Sequence, residues 1–216
     1  HLAEHGVGEA ARRVGLAMHA LGLPTHTVGM HAAGARHQHR LTTDVDDRLR
    51  FRDSIYCVNA DEVGRVMEHL EHRDRRRGDA RRIGLWFWEL STFPAHMAGA
   101  AEHLDEVWVT SEFTHDALVP VLDLPVRTIP LAVTAPSSPT SFQRHHLGLD
   151  HRFLFTCSFD FNSVFERKNP LAVVHAYCAA FSPDDGAQLL VKSINGHRDP
   201  LALERVRWAA RARPDI

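Results

Sequence analysis

Residues 153–181 read FLFTCSFDFNSVFERKNPLAVVHAYCAAF, and this stretch decides the fold class. Its first part, 153–159, is an apolar run that predicts a β-strand. Its last part, 169–181, predicts an α-helix, with Pro170 in the first turn, where proline is tolerated. A strand that leads into a helix is the building unit of a parallel sheet.

The same alternation of strand and helix runs through most of the chain. The other predicted strands are 54–58, 83–88, 106–109, 126–129 and 188–192. The other predicted helices are 61–71, 93–103, 112–119 and 201–212. Ser111 is a plausible N-cap for the helix that begins at Glu112. We therefore expect an α/β protein with mostly parallel sheets.

A proline-rich stretch separates this alternation into two blocks. Pro130, Pro136 and Pro139 stand there among several Ser and Thr residues. We expect an N-terminal domain over 1–132, a linker over 133–143 and a second domain over 144–216. The second block has only two strand–helix units, about half of a nucleotide-binding domain, so we expect it to be incomplete.

The chain begins with His1 rather than Met, and it stops where another strand could begin. We therefore expect a piece of a longer protein, cut at both ends, with the first strand of the N-terminal domain missing.

Composition excludes several classes of protein. The chain has 216 residues, 44% hydrophobic and 24% charged, which is ordinary for a globular protein with its own core. Its formal net charge of −2 gives no positive field for nucleic acid, so we expect no nucleic-acid partner. The 3 cysteines form no CxxC pair, which argues against a zinc knuckle and a disulfide framework. No apolar run approaches about 18 residues and no signal peptide is visible, so we expect a cytoplasmic protein.

Histidines are numerous, at 17 in the chain, and two local clusters lie at 37–39 and 145–146. Neither cluster has an HxxxH-type spacing backed by a carboxylate, which a metal site needs. We expect these histidines in polar surface loops and no bound metal.

Two segments place glycines or cations ahead of a predicted helix, where backbone N–H groups attract phosphate. Gly6 and Gly8 precede a helical run, although the segment lacks the third glycine of a dinucleotide-binding turn. A structural loop explains these glycines equally well. Arg167 and Lys168 stand just before the helix that contains Pro170, and they predict a doubly cationic phosphate site. The alternative for this pair is an ordinary solvated surface position.

Two further segments allow either a functional or a structural role. Trp86, Phe87 and Trp88 leave a strand into a loop that also contains Glu89, and tryptophan faces stack on sugars. We expect at least one of Trp86 and Phe87 in the core, and Trp88 and Glu89 to be available to a ligand. The segment 73–82 holds six arginines and two acids, which predicts a solvated loop or a patch for anionic lipid.

Six segments follow one another in a characteristic order. They are GVGEAAR (6–12), IGLWFWELSTFP (83–94), DEVWVTSEF (105–113), IPLAV (129–133), FDFNSVFERKNPLAVVHAY (159–177) and LLVKSINGH (189–197). As a set they resemble the family-4 glycosyltransferases, in particular those of mannosyl or rhamnosyl type in polysaccharide synthesis. The resemblance covers nearly the whole chain and is weakest over 29–52.

The resemblance implies a GT-B-like architecture, in which two Rossmann-like domains face each other across a cleft. The N-terminal domain would take the acceptor and the second domain the nucleotide-sugar. The implied reaction transfers a sugar from that donor to a glycan or a lipid-linked acceptor. It would retain the anomeric configuration and need neither a metal nor another cofactor.

The resemblance also implies roles for individual residues. Lys168 matches the lysine that binds the donor diphosphate in such enzymes, and Arg167 accompanies it, so these two are the expected catalytic residues. The expected donor-binding residues are Gly6, Gly8, Glu9, Asp160, Ser163 and Lys192. The expected acceptor-binding residues are Trp88 and Glu89. Phe159 and Asp160 stand where many relatives carry an arginine.

Two other functions remain open from the sequence. An NAD-dependent oxidoreductase would need a complete GxGxxG turn, which the chain lacks. A non-catalytic nucleotide- or sugar-binding module would keep the aromatic loop without needing Arg167 and Lys168. The sequence shows no convincing pair of carboxylates of the kind that a glycoside hydrolase uses, which argues against that class of enzyme. In relatives, two glutamates that position the ribose and the donor sugar would follow Ile216, so we expect the 216-residue chain alone not to transfer sugar. A contact with the inner membrane face through 73–82 also stays open.

Overall fold

A computed structural model of the chain describes residues 6–29, 45–46, 49, 51–71, 80–133, 141 and 143–216. The chain divides into two compact units, His1–Pro136 and Ser137–Ile216. The division falls inside the expected linker, although residues 134–140 and 142 of that linker lie outside the described residues.

Helices and strands alternate in both units. The α-helices of the described residues are α1 (Gly6–Ala20), α2 (Ala60–Glu71), α3 (Glu112–Leu118), α4 (Phe165–Lys168), α5 (Pro170–Ala180) and α6 (Pro200–Ala210). The strands are β1 (Thr27–Val28), β2 (Val45–Asp46), β3 (Asp53–Tyr56), β4 (Arg81–Leu85), β5 (Glu106–Val109), β6 (Val126–Thr128), β7 (Phe153–Asp160) and β8 (Ala187–Ile194). Segments of 3₁₀-helix cover Ala95–His103, Arg144–Leu147 and Gly196–Arg198.

All described strand pairs are parallel, which confirms the α/β class. In the first unit β3, β4, β5 and β6 form one sheet in sequential order, and β1 pairs separately with β2. In the second unit β7 pairs with β8. The four-stranded sheet with its helices is compatible with a Rossmann-like fold.

The core of the first unit covers one face of the four-stranded sheet. Tyr56, Gly84 and Val107 lie side by side on neighbouring strands, and Val107 is completely buried. Val63 of α2 and Leu104, which follows the 3₁₀ segment, belong to the same buried cluster. A Cβ at position 84 would lie 2.6 Å from Leu104 Cδ1, so any larger residue here would force a neighbouring side chain to shift.

A buried carboxylate lies on the opposite face of this sheet. Glu106, 4% exposed at its side chain, forms ion pairs with Arg81 and with Arg127, whose Nε is 2.8 Å away. Trp108 Nε1 donates to it at 2.6 Å. Burial raises the pKa of Glu106, but the hydrogen bonds from Trp108 and Arg81, together with the charges of Arg127 and Arg81, leave that pKa below the usual value.

In the second unit one face of the β7–β8 pair packs against α5 and α6. Phe159 of β7 packs with Val206 of α6, and Leu189 of β8 packs with Val174 of α5. The chain then returns alongside β8 after α6, where the Leu189 N–H donates to the Asp215 carbonyl at 2.8 Å.

A buried polar network fixes that return. The Tyr177 hydroxyl donates to Asp215 Oδ2 at 2.8 Å. Arg213 binds the same carboxylate through both oxygens, at 2.9 Å and 2.6 Å. The network joins α5 to the segment that follows α6.

The structure departs most from the sequence predictions at three elements, while most other boundaries shift by one or two residues. The strand predicted over 83–88 ends at Leu85, because the Phe87 N–H donates to the Asn59 side chain at 3.1 Å instead of joining the ladder. The helix predicted over 93–103 is a 3₁₀-helix, Ala95–His103, with Pro94 as N-cap and Gly99, a weak helix former, near its middle. A turn of α-helix, α4, occupies a region that was predicted as loop. No helix among the described residues is both long and apolar enough to cross a membrane.

Candidate functional site

The carboxyl ends of β7 and β8 are joined by a side-chain hydrogen bond. Asp160 is the last residue of β7, and Asn195 directly follows β8. Asn195 Nδ2 donates to Asp160 Oδ1 at 2.8 Å, and the backbone N–H of Asn162 donates to the same oxygen at 2.9 Å. In parallel α/β sheets this edge is where ligands bind.

Two more of the expected donor-binding residues, Ser163 and Lys192, lie close to this edge along the chain. The Ser163 N–H donates to the Asp160 carbonyl at 3.0 Å, which turns the chain directly after β7. Lys192 lies in β8 opposite Ser158 of β7 and is exposed. By its register Lys192 shares a sheet face with Asp160, and that is the face away from α5 and α6.

Arg167 and Lys168 lie between this turn and α5. Both side chains are exposed, and they are the last two residues of α4. The Lys168 N–H donates to the Val164 carbonyl at 3.2 Å, so both residues belong to a helical turn rather than to the expected loop. Basic residues are common in the last turn of a helix, where they face carbonyl groups, and this gives the pair a structural role as well.

The start of α5 offers phosphate fewer N–H groups than the sequence indicated. Pro170 at its first turn has no N–H, and the Ala172 N–H points to Asn169 Oδ1 at 3.4 Å. Asn169 is the N-cap and adopts a left-handed conformation with φ 46°. At the start of α5, positive charge therefore comes mainly from the side chains of Arg167 and Lys168.

Sequence reasoning did not identify Asn195 as a site residue, although it lies within the segment LLVKSINGH. Asn195 has φ 60° and precedes Gly196, and Asn-Gly is a typical turn pair. That dipeptide indicated a turn after β8. It did not indicate the partner, Asp160, which is 35 residues away in the chain.

In the first unit the loop after β4 is held by its own aromatic residues. Trp86 is 1% exposed and stacks on Phe93 with ring centroids 5.9 Å apart, which makes it a core residue. Trp88 is half-buried, packs edge-on against Phe93 at 5.1 Å and donates its Nε1–H to the Thr92 carbonyl at 2.8 Å. Thr114 Oγ1 donates to the Trp88 carbonyl at 3.2 Å.

These contacts decide what the loop can offer a ligand. The edge of the Trp88 ring is engaged within the loop, so only its remaining exposed surface is available for stacking. Glu89, the next residue, is exposed at the carboxyl end of β4. Trp88 and Glu89 thus follow the carboxyl end of β4, the kind of edge at which parallel α/β sheets commonly bind ligands, and Trp88 has a packing role as well.

Gly6, Gly8 and Glu9 lie within α1 and not in a turn ahead of a helix. These residues form the first described turn of the helix rather than a loop ahead of it, and their expected contact with the donor stays a prediction. Glu9 lies 2.8 Å from Arg12 and 2.6 Å from Arg13 on the same helix. The hydrogen bond from Arg13 lowers the pKa of Glu9, while partial burial opposes that change.

The remaining arginine-rich and histidine-rich segments are described only in part. Residues 73–79 lie outside the described residues, and Arg81 forms an ion pair with the buried Glu106. The histidine cluster at 37–39 lies outside them as well, whereas His145 and His146 are exposed with their ring centroids 4.0 Å apart.

One group of potential metal ligands lies on α3, a short helix. Glu112, His115 and Asp116 bring ligand atoms within 4.8 Å of one another. Glu112 and Asp116 are exposed and His115 is half-buried, and exposed acidic groups of this kind are common without a metal. The group therefore gives weak support for a metal site.

Comparison with protein-family models finds no family that matches the chain, and comparison with curated proteins finds no significantly similar sequence.

Proposed function

We propose that this protein is a glycosyltransferase that moves a sugar from a nucleotide-sugar to a glycan or a lipid-linked acceptor. The observation that carries the proposal is the carboxyl edge of β7 and β8, where Asp160 and Asn195 join two parallel strands and Arg167 and Lys168 follow in the same connection. The ordered motifs that resemble family-4 glycosyltransferases support the same reaction. We extend the proposal to a GT-B-like arrangement with the acceptor side in the first unit.

Charge development in the reaction explains why cations would be placed there. When the bond between the sugar and the diphosphate breaks, negative charge grows on the diphosphate and positive charge grows on the anomeric carbon. Fixed cations stabilise such a transition state because they need no reorganisation as the charge develops. Lys168 and Arg167 would supply this charge, so the proposed reaction needs no metal ion.

The proposed transfer retains the configuration of the sugar. The acceptor hydroxyl approaches from the side of the leaving group, and its oxygen forms the new bond to the anomeric carbon. The bond to the donor phosphate oxygen breaks, and this oxygen takes the hydroxyl proton. An attack of this kind needs no pair of catalytic carboxylates, which agrees with the lack of an obvious pair in the sequence.

The other expected residues would contact the donor and the acceptor. Ser163 and Lys192 would bind the donor beside Asp160. Trp88 and Glu89 would bind a sugar of the acceptor, by stacking and by hydrogen bonding. Acceptors that are lipid-linked would place the protein in the cytoplasm, at the inner membrane face.

The test is a donor panel applied to the full-length gene product. The panel contains UDP-, GDP- and dTDP-sugars, and the readout is release of the nucleoside diphosphate, with and without EDTA. We expect one donor to be consumed at the same rate in both conditions. Isothermal titration with UDP, GDP and NAD, carried out alongside, separates the three candidate functions.

Each alternative has its own outcome in these experiments. Binding of NAD without binding of UDP or GDP would point to an oxidoreductase and contradict the proposal. Binding of a nucleotide with no turnover of any donor would point to a non-catalytic module. Turnover that EDTA abolishes would contradict the metal-independent mechanism.

A further inference from the structure

The outer face of α6 carries an exposed stripe with an unusual order of residues. Leu201, Glu204, Arg205 and Trp208 follow the helical spacing of three and four residues, so they lie on one side of the helix. Leu201 is 74% exposed and Trp208 is 67% exposed. Large apolar side chains this exposed, on one line of one helix, are typical of a surface that binds another protein.

A groove runs beside this stripe. It has a volume of about 480 Å³ and lies between α6 and α5, with Leu171 and His175 forming its second wall. Its walls are mostly apolar, and it is wide enough to take a tryptophan side chain.

The stripe is self-complementary about its midpoint. Leu201 and Trp208 lie symmetrically on either side of the Glu204–Arg205 pair. If two copies of α6 pack antiparallel about a two-fold axis, Glu204 of each copy faces Arg205 of the other. Leu201 of each copy then faces Trp208 of the other, and the indole ring can enter the groove.

We propose that this face binds a second copy of the same chain through α6. Charge complementarity selects this occupant, because an unrelated apolar partner would have no need for opposite charges at the centre of the stripe. In the single chain Glu204 pairs at 2.8 Å with Arg207, with both side chains 65% exposed. Arg205 lies over the Phe165 ring at 5.5 Å, and Arg211 lies over the Trp208 ring at 3.2 Å. Exposed contacts of these kinds contribute little, so Glu204, Arg205 and Trp208 can exchange partners when the copies meet.

The proposed contact predicts a weak and reversible dimer. Each α6 is only about 16 Å long, so the interface belongs to the small class. We expect a dissociation constant on the order of 10 µM, with Trp208 as the anchor. The inference concerns the second unit alone and does not depend on the proposed function.

The experiment uses sedimentation equilibrium of the full chain with two charge-reversed variants, E204R and R205E. Each variant alone places like charges opposite each other in the dimer, so we expect self-association to weaken at least tenfold. In an equimolar mixture of the two, both charge pairs become favourable again, and we expect dimers to return. D184R and R198E are matched controls, since they reverse exposed charges outside the stripe and should leave the dimer unchanged.

Two results would overturn the proposal. One is a wild-type chain that stays monomeric well above the expected dissociation constant. The other is an association that E204R and R205E leave unchanged, or that the mixture fails to restore, which would indicate another surface or nonspecific attraction. Circular dichroism of each variant confirms that the helices are retained.

Discussion

At the scale of single residues, Gly84 offers a sharp test of the first core. A methyl group at this position would approach Leu104 Cδ1 to 2.6 Å and Trp86 Nε1 to 2.9 Å in a fully packed region. We expect Gly84→Ala to destabilise the first unit by about 2 kcal/mol, since overpacking forces neighbouring side chains from their positions. The measurement is urea unfolding followed by tryptophan fluorescence, to which this unit contributes Trp86, Trp88 and Trp108.

The control for this prediction is a glycine in open space. Gly64 lies in α2, and a Cβ built there meets no atom within 4 Å. Gly64→Ala should stabilise the chain by about 0.5 to 1 kcal/mol because alanine favours the helix. Equal effects of the two substitutions would contradict the packing described around Gly84.

Asp215 makes the stability of the second unit depend on pH in the acid range. Hydrogen bonds from Arg213 hold the pKa of this buried carboxyl at about 2, against burial, which acts to raise it. Because the folded pKa lies below the unfolded value of about 3.9, this stabilisation is complete above about pH 4 and is lost as the pH falls towards 2. Amide exchange of the β8 residues, measured from pH 7 to pH 2, should accelerate relative to the intrinsic rate in that window.

Removing the charge should remove this dependence. Asp215→Asn leaves Arg213 without its carboxylate, and we expect a loss of about 3 kcal/mol at pH 7. The variant should therefore lose less stability than the wild type as the pH falls from about 4 towards 2, and the remaining loss comes from other carboxyls such as Asp150 and Asp185, whose pKa values backbone hydrogen bonds lower. Asp184→Asn, at an exposed turn, is the control and should cost less than about 0.5 kcal/mol. An acid profile of D215N identical to that of the wild type would contradict the assignment.

At the scale of elements, the junction of α4 and α5 depends on Asn169. This residue ends α4 in a left-handed conformation with φ 46° and caps α5 through its side chain. We expect Asn169→Ala to cost about 2 kcal/mol, about half from the lost cap and half from the unfavourable φ. Glycine adopts a positive φ readily, so Asn169→Gly should lower the free energy of unfolding by only a few tenths of a kcal/mol. Amide exchange within α5 is the measurement, and equal losses in the two variants would show that the backbone conformation is irrelevant.

The elements show how far the sequence patterns lead. The strand predicted over 106–109 is β5 itself, and the predicted N-cap Ser111 accepts from the Thr114 N–H at 3.3 Å. These features are local, since a cap or an apolar run depends on neighbours a few residues away. The end of β4 was missed because it is set by Asn59, which is 28 residues from Phe87 in the chain. Alternating hydrophobicity carries no information about such a bond.

At the scale of the whole molecule, the parallel α/β organisation follows the sequence closely. The strand–helix alternation predicted parallel pairing, and a proline-rich segment contains the division at Pro136–Ser137. The site was predicted only in part. Arg167 and Lys168 follow β7 in the chain, but the local turn of helix that contains them was not predicted. The Asp160–Asn195 bond joins residues 35 apart, so no local pattern indicates it. The role of these cations in sugar transfer stays a prediction.

The measurement that tests this role most directly compares rate with stability for Lys168→Ala in the full-length gene product. Lys168 is exposed, so its removal should shift the melting temperature by less than about 2 °C. Loss of a cation on the leaving diphosphate should lower kcat for the preferred nucleotide-sugar about 100-fold. Arg207→Ala, which removes another exposed cation of the second unit, should leave kcat unchanged. An unchanged kcat in Lys168→Ala, or equal losses in the two variants, would contradict the proposed donor site.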